Sequence, residues 1–442
     1  MRRRRAGFAW MVAAALPLFL SACGSDKSGT PESNVSSAGS SDSASALASA
    51  SNSSEPDIKG EITWATHRTD LVDNGTFDRY VAEFKTKYPG ITDVKIEGLK
   101  DYSQTIKVRM AGNEAPDVFS PPDEIKENYP ALYASLDDLG LQGNLLLESN
   151  GTYEGHLYAV VSGATTNGLV YNKKAFAAAG LSGPPKTLDE LFAAAEKLKA
   201  AGIVAMATDF KDAWPLTYWY DVEQFLANSS QFHNDVYNND PPFTVDGPFG
   251  QAFGILKRLI DGKFVEPDIY STDWEGSIKD IATGKAGMYM IGQWLLPQMA
   301  DTGGGDPADF GFVPFPYDNS GSYKAVLSPD YSFAVNAKSK NIPAAKAWLK
   351  YLIEDSTYAE DTGMIPILKS KKTGIPQLIE FMTWNPTMIT SEPALPNALK
   401  IEQKLQWDPS KFLQEAVVSK NLEAYFASFN QKYAAEKKAL QP

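Results

Sequence analysis

Residues 62–90 read ITWATHRTDLVDNGTFDRYVAEFKTKYPG, and the order of apolar and polar positions in this stretch decides the fold class. Ile62 to Thr66 is a short apolar, β-rich run. After a polar loop, Phe77, Tyr80, Val81, Phe84 and Tyr88 fall on one face of a helix that Pro89 ends. Val94 and Ile96 continue in a strand pattern, followed by a helix over Tyr102 to Ala111 and a strand at Asp117 to Ser120. This βαβαβ start predicts an α/β body with a sheet covered on both faces. Loops at the strand carboxyl ends are then free to hold a ligand.

The alternation carries on downstream. A second series opens at Gly168 to Asn172 and contains a well-marked helix, with Thr187 as N-cap, Glu190 completing a capping box and Gly202 as the stop. Ile203 to Ala207 reads as a strand. Phe249, Phe253, Leu256 and Ile260 mark another amphipathic helix. Ile278 to Ile281 mark one more before Gly284, with a strand at Ala286 to Ile291 behind it. The final third reads as mostly helical, including Ala344 to Glu354 and Phe412 to Lys438. There is no internal repeat.

Upstream the character changes twice. Arg2 to Arg5 form a basic start, and Phe8 to Leu20 form an apolar run broken by Pro17, the pattern of an export signal over residues 1–22. It ends in Leu20-Ser21-Ala22-Cys23, which resembles the bacterial lipobox and implies cleavage before Cys23 and a lipid on its thiol. Cys23 is the one cysteine in 442 residues, so the remainder has no thiol for a disulfide, a nucleophile or a metal. Residues 24–57 hold 13 serines and no aromatic, a composition that cannot bury enough apolar surface to offset its ordering entropy. As a flexible coil this tether spans roughly 30 Å.

Charge and missing motifs narrow the function. The chain carries 41 basic and 54 acidic residues, and four of the arginines belong to the leader. A body this acidic is unsuited to neutralising phosphates, which argues against a nucleic-acid partner. There is no Gly-x-Ser-x-Gly elbow, no phosphate-cradling Gly-x-x-x-x-Gly-Lys-Ser/Thr and no His-Glu-x-x-His. Three scattered histidines predict no metal centre, and no cofactor is expected. Carboxylate pairs such as Asp273 with Glu275 are expected by chance among 54 acids. Recognition, not catalysis, is the chemistry on offer. Nine tryptophans and 20 tyrosines supply aromatic plates for it.

From about Ile62 to Leu440 the chain resembles the carbohydrate-type extracellular solute-binding lipoproteins of bacterial ATP-driven (ABC) importers. The resemblance rests on many short pieces in order. They include Ala115–Phe119 (APDVF), Gly168–Lys173 (GLVYNK), Gly180–Leu191 (GLSGPPKTLDEL), Gly284–Met288 (GKAGM) leading to Gly292-Gln293-Trp294, Val313–Pro316 (VPFP) and Ser332–Val335 (SFAV). It implies a two-lobed, periplasmic-binding-protein-like α/β fold with a ligand cleft between the lobes, hinge closure and a membrane permease as partner. Three interlobe crossings are expected near Gly168 to Tyr171, Leu327 to Tyr331 and Pro366 to Ser370. The lobes would then be residues 58–168 plus 328–367 and residues 169–327 plus 368–442. The protein is expected to be monomeric and held on the outer face of the cell membrane through Cys23.

A sugar needs acceptors and planar donors for its hydroxyls and an aromatic plate for its ring face. Trp294 matches the family's stacking tryptophan at a strand end, and Trp214 in Ala213-Trp-Pro-Leu is a second expected plate. His67, Arg68 and Asp70 occupy the loop after the first strand, where the family places polar contacts. Asp330 and Tyr331 stand at the second crossing, with Gln293 and Asn167 as further candidates by position. Trp274 and Trp384 are possible additional plates. Competing readings are a receptor for a peptide, polyamine or ferric ion, and a tethered carbohydrate-active enzyme.

Overall fold

The computed structural model describes residues 58–122, 125–301, 303–390 and 394–440; the expected leader, Cys23 and tether lie outside them. Thirteen strands occur among the described residues: β1 (Lys59–Thr66), β2 (Gly90–Gly98), β3 (Val118–Phe119), β4 (Thr152–Tyr153), β5 (His156–Leu157), β6 (Ala159–Val161), β7 (Ala164–Asn172), β8 (Val204–Ala207), β9 (Ala286–Gly292), β10 (Phe310–Val313), β11 (Lys324–Pro329), β12 (Ser332–Val335) and β13 (Thr387–Thr390). They make two principal sheets. The first runs β2-β1-β3-β12-β6, and the second runs β13-β11-β7-β9-β8 with β10 also on β7.

The opening βαβαβ builds the first sheet. β1 pairs in parallel with β2 and β3, and the helices Thr76–Lys87 and Tyr102–Ala111 connect them. Phe77, Tyr80 and Phe84 are buried on one face of the first helix. Trp64 of β1 lies beneath them, 4.7 Å from Phe77, 5.6 Å from Trp348 and 6.0 Å from Phe333. Trp348 comes from the late helix Ile342–Glu354, so distant chain segments close this core.

β7 organises the second sheet. On one side it pairs with β9, and on the other its first half pairs with β11 and its second half with β10, all antiparallel. The helix Leu188–Ala200 begins as its capping residues dictate: the Thr187 side chain accepts from the Glu190 N–H at 3.2 Å, and Glu190 accepts in return from the Lys186 N–H at 2.7 Å. The stretch 412–438, expected as one helix, is divided. The helices Pro409–Val418 and Leu422–Ala439 are separated where Asn421 takes extended backbone and its side chain caps the Ala424 N–H.

The chain passes between the sheets three times. The first passage, expected near Gly168 to Tyr171, lies at Ser162 and Gly163, because β7 is already paired into the second sheet at Ala164. The second lies at Asp330 and Tyr331, between β11 and β12. The third follows Ile365, whose backbone exchanges two 2.9 Å hydrogen bonds with Ala164, and leads to the helix Pro376–Thr383. There Phe381 stacks on Phe312 of β10 at 4.7 Å. A Cβ on Gly163 would stand 2.6 Å from the Met364 side chain, so glycine is what lets the first and third passages lie side by side.

Trp64→Ala should empty the meeting point of four elements and cost about 3–5 kcal/mol. Denaturant unfolding checks this; a loss below about 1 kcal/mol would mean that the core is not closed around Trp64.

Candidate functional site

The site grows from the end of β9. Gln293 follows this strand, is fully buried and turns its amide back on β7: Oε1 accepts from the Thr166 N–H at 2.8 Å, and Nε2 donates to the Ala164 carbonyl at 3.3 Å. With its amide engaged by backbone, Gln293 fixes the turn that follows β9. The turn it fixes presents Trp294. A Cβ on Gly292 would stand 2.1 Å from the Trp294 Nε1, so the indole lies directly over a residue without a side chain.

Two more indoles gather there. Trp214 begins a single-turn helix, Trp214–Tyr218, behind Ala213, whose φ of 63° turns the chain sharply. Trp274 begins the helix Trp274–Thr283, and its N–H donates to Asp212 at 2.8 Å. Ring centroids are 4.9 Å apart for Trp214 and Trp274, 5.6 Å for Trp274 and Trp294, and 5.9 Å for Trp214 and Trp294. Trp214 is 39% exposed, a large share for an indole in a packed cluster. Tyr218 packs on both Trp214 and Trp294. Such a platform offers flat apolar area that water hydrates poorly. Trp384 is not part of it and packs instead on Tyr323 at 4.9 Å.

A second group comes from the ends of β1 and β11. His67 stacks face to face on Tyr331 at 3.7 Å, with Tyr102 edge-on to both rings. Burial, reinforced by the Arg68 charge, lowers the His67 imidazole to about 3, so it is neutral at physiological pH. Its Nδ1 is buried and has no hydrogen-bond partner among the described residues. Arg68 grips Asp70 with two bonds of 2.8 and 2.5 Å, which leaves the Asp70 carboxylate committed to the protein. Asp330 accepts from the Ser162 hydroxyl at 3.0 Å, its N–H donates to the Gly163 carbonyl, and burial pushes its carboxyl up.

Next to Trp294 and Tyr218 a cavity of about 280 Å³ enters the second lobe, lined among others by Asn167, Asp221, Gln224 and His233. The Asn167 amide donates to Asp221 at 2.6 Å, and burial pushes the Asp221 carboxyl up to about 7. The expected residues thus form two groups, Trp214, Trp294 and Asn167 on one and His67, Arg68, Asp70, Asp330 and Tyr331 on the other. Tyr102, Ser162, Tyr218 and Asp221 were not anticipated. The signal for Asp221 was a pair of acids, Asp221 and Glu223, inside the otherwise largely apolar run Trp219 to Ala227. Among the described residues no group of three or more His, Cys, Asp or Glu is arranged to hold a metal ion.

Buried acids give the site a pH signature. Asp209 and Asp221 are both raised to about 7, by burial and, for Asp209, also by Asp212 and Glu266. Unfolded, these groups ionise near the ordinary aspartate value of 3.8. Between about pH 4 and 7 the folded form alone holds these protons, so stability falls as pH rises, by of order 2–4 kcal/mol per group. His67, lowered from 6.5 to about 3, works the other way and offsets one of the two aspartates below about pH 6.5, while Glu97, held below the ordinary range by Arg109, acts at lower pH. The melting temperature of the ligand-free protein should therefore drop from pH 4.5 to 7, and Asp221→Asn should flatten the slope. A melting temperature that rises across this window would contradict the assignment.

Known proteins resemble this chain in sequence and in fold. Residues 68–359 match the model of the bacterial extracellular solute-binding protein family. An uncharacterized ABC transporter extracellular-binding protein of Pyrococcus horikoshii is 26% identical, over 66% of this chain and 68% of its own length. The melibiose/raffinose/stachyose-binding protein of Bacillus subtilis is 24% identical, over 69% and 72%. Among solved structures, a manno-oligosaccharide-specific solute-binding protein of Bifidobacterium animalis subsp. lactis, in complex with mannotriose, superposes with a TM-score of 0.72 at 25% identity, covering 88% of this chain and 96% of that one. With well over half of its length matched by the family model and its two-lobed α/β architecture shared with these structures, the chain belongs to the bacterial extracellular solute-binding proteins.

Proposed function

We propose that this protein is the substrate-binding component of an ABC importer, which captures a sugar or oligosaccharide between its lobes and delivers it to a membrane permease. The observation that carries this reading is the platform of Trp214, Trp274 and Trp294 set against polar side chains at the passages between the sheets. Flat indoles suit the apolar faces of pyranose rings, and convergent hydrogen-bonding groups suit their hydroxyls. The named ligands of the relatives, manno-oligosaccharides on one hand and melibiose, raffinose and stachyose on the other, support a saccharide over a peptide, polyamine or ferric ion. The protein acts by binding alone.

In this reading residues 58–161 and 332–368 form one lobe, residues 164–329 and 376–440 form the other, and the passages between them serve as hinges. Trp294 and Trp214 stack on the ligand, while His67, Arg68, Asn167, Asp330 and Tyr331 surround its polar edge. Asp70 orients Arg68, and Gln293 positions Trp294. Residues 1–22 are removed, Cys23 carries the lipid, and residues 24–57 tether a monomeric body to the outer face of the cell membrane.

Calorimetric titration of the purified protein against mono- and oligosaccharides tests the reading, with saturable binding expected for at least one oligosaccharide. Trp294→Ala should weaken that binding by about a hundredfold without unfolding the protein, because stacked aromatics dominate such contacts. Unchanged affinity would remove Trp294 from the site. Binding of a peptide or polyamine with no response to any sugar at millimolar concentration would sink the saccharide reading.

A further inference from the structure

The cavity beside Trp294 has an unusual balance of hydrogen-bonding groups. Several of its donors are already engaged within the protein. The Thr165 hydroxyl donates to the Ser328 carbonyl, the Thr217 hydroxyl to the Trp214 carbonyl, the Asn167 amide to Asp221 and the Asn234 amide to Gln231. Acceptors remain. Gln224 lines the cavity, is 5% exposed, and its buried Oε1 has no partner among the described residues. Asp221 lines it as well, at 7% exposure.

Further acids stand buried around the cavity. Glu223, on the same helix as Asp221, is 1% exposed with Oε2 unpartnered among the described residues, and Asp235 of the neighbouring helix Phe232–Asn238 has a buried, unpartnered Oδ2. His233 lines the cavity with Nδ1 held by Glu402 at 2.9 Å. No lysine or arginine is among the lining residues. The ammonium of Lys324 on β11 is engaged elsewhere, donating to the Phe225 carbonyl at 2.6 Å. Burial raises the Asp221 carboxyl, and burial followed by the neighbouring charges of Asp235 and Asp221 raises Glu223, so both favour the proton-bearing form while the site is empty.

From these groups we infer that the cavity receives a protonated amine, so that the ligand is an amino-bearing saccharide whose ammonium sits between Asp221 and Gln224. An ammonium brings three donors and no acceptor, which suits the unpartnered Gln224 Oε1 and the carboxylate of Asp221. A buried cation also needs a counter-charge, and the acids of the two helices supply it. At about 280 Å³ the cavity is at the small end of ligand pockets, so it takes one ring or end group while the rest of the ligand runs along the tryptophans. The inference rests on the saccharide reading and narrows it.

Calorimetry of the full-length protein at neutral pH tests it with three matched ligands: 2-amino-2-deoxyhexose oligomers, their hydroxyl counterparts and their N-acetyl counterparts, of the same linkage and length. The amine form should bind about tenfold to a hundredfold tighter than either neutral form, as for a charge-assisted hydrogen bond. In Asp221→Asn the ratio should fall to near one; should that variant fail to fold, the wild-type ratio decides alone. Equal or tighter binding of a neutral form overturns the amine inference and leaves the saccharide reading standing. No binding of any saccharide overturns both.

Discussion

The structure depends on a single buried amide. Gln293 joins the turn after β9 to the backbone of β7 at Ala164 and Thr166, two residues from the point where the chain first leaves one lobe for the other. Because a buried side-chain amide left unpaired costs about 1–3 kcal/mol, this turn has one good arrangement. That arrangement lays the Trp294 indole over Gly292 and sets Asn167, the next β7 position that pairs with β9, beside Asp221. The aromatic platform and the acid-lined cavity are therefore held by the same strand that receives the first passage. On the proposed reading, movement at the passages and occupation of the site act on the same few residues.

The two halves of the site differ in how they meet water. On the second lobe, indoles offer area that gains by being covered, with Trp214 left partly bare. On the first lobe, the polar groups are already ordered: Arg68 by Asp70, His67 by the ring of Tyr331, and Asp330 by Ser162. Side chains held in place before binding lose little entropy on contact, so affinity does not have to offset their ordering. The His67 imidazole, kept neutral, can accept a hydroxyl proton with the nitrogen that now lacks a partner.

The fold was legible in the sequence where local signals and tertiary packing agree. The period of Phe77, Tyr80 and Phe84, the cap at Thr187 and the strand behind Gly284 each rest on neighbours within a few residues. The exact passages were less legible, because Gly168 and Ala164 belong to one continuous strand whose sheet membership is decided by partners more than a hundred residues away. The helix break at Asn421 is a single capping side chain inside an otherwise unbroken helical period. Within the site, Trp214, Trp294 and the residues after β1 could be named from position. For Gln293, position cannot tell whether an amide faces a ligand or the backbone behind it, and here the amide bonds to the β7 backbone. Asp221 and Gln224 were passed over because polar residues on an apolar helix read as its solvent face until the cavity next to them is seen.

A saccharide held against the tryptophans of the second lobe, as proposed, changes their surroundings, and intrinsic tryptophan fluorescence during an oligosaccharide titration reads that change. Three of the nine tryptophans form the platform, so stacking a sugar over them should change the emission in a saturable way, with the same midpoint as the heat of binding. Heat of binding with no change in emission would place the ligand elsewhere and contradict the account.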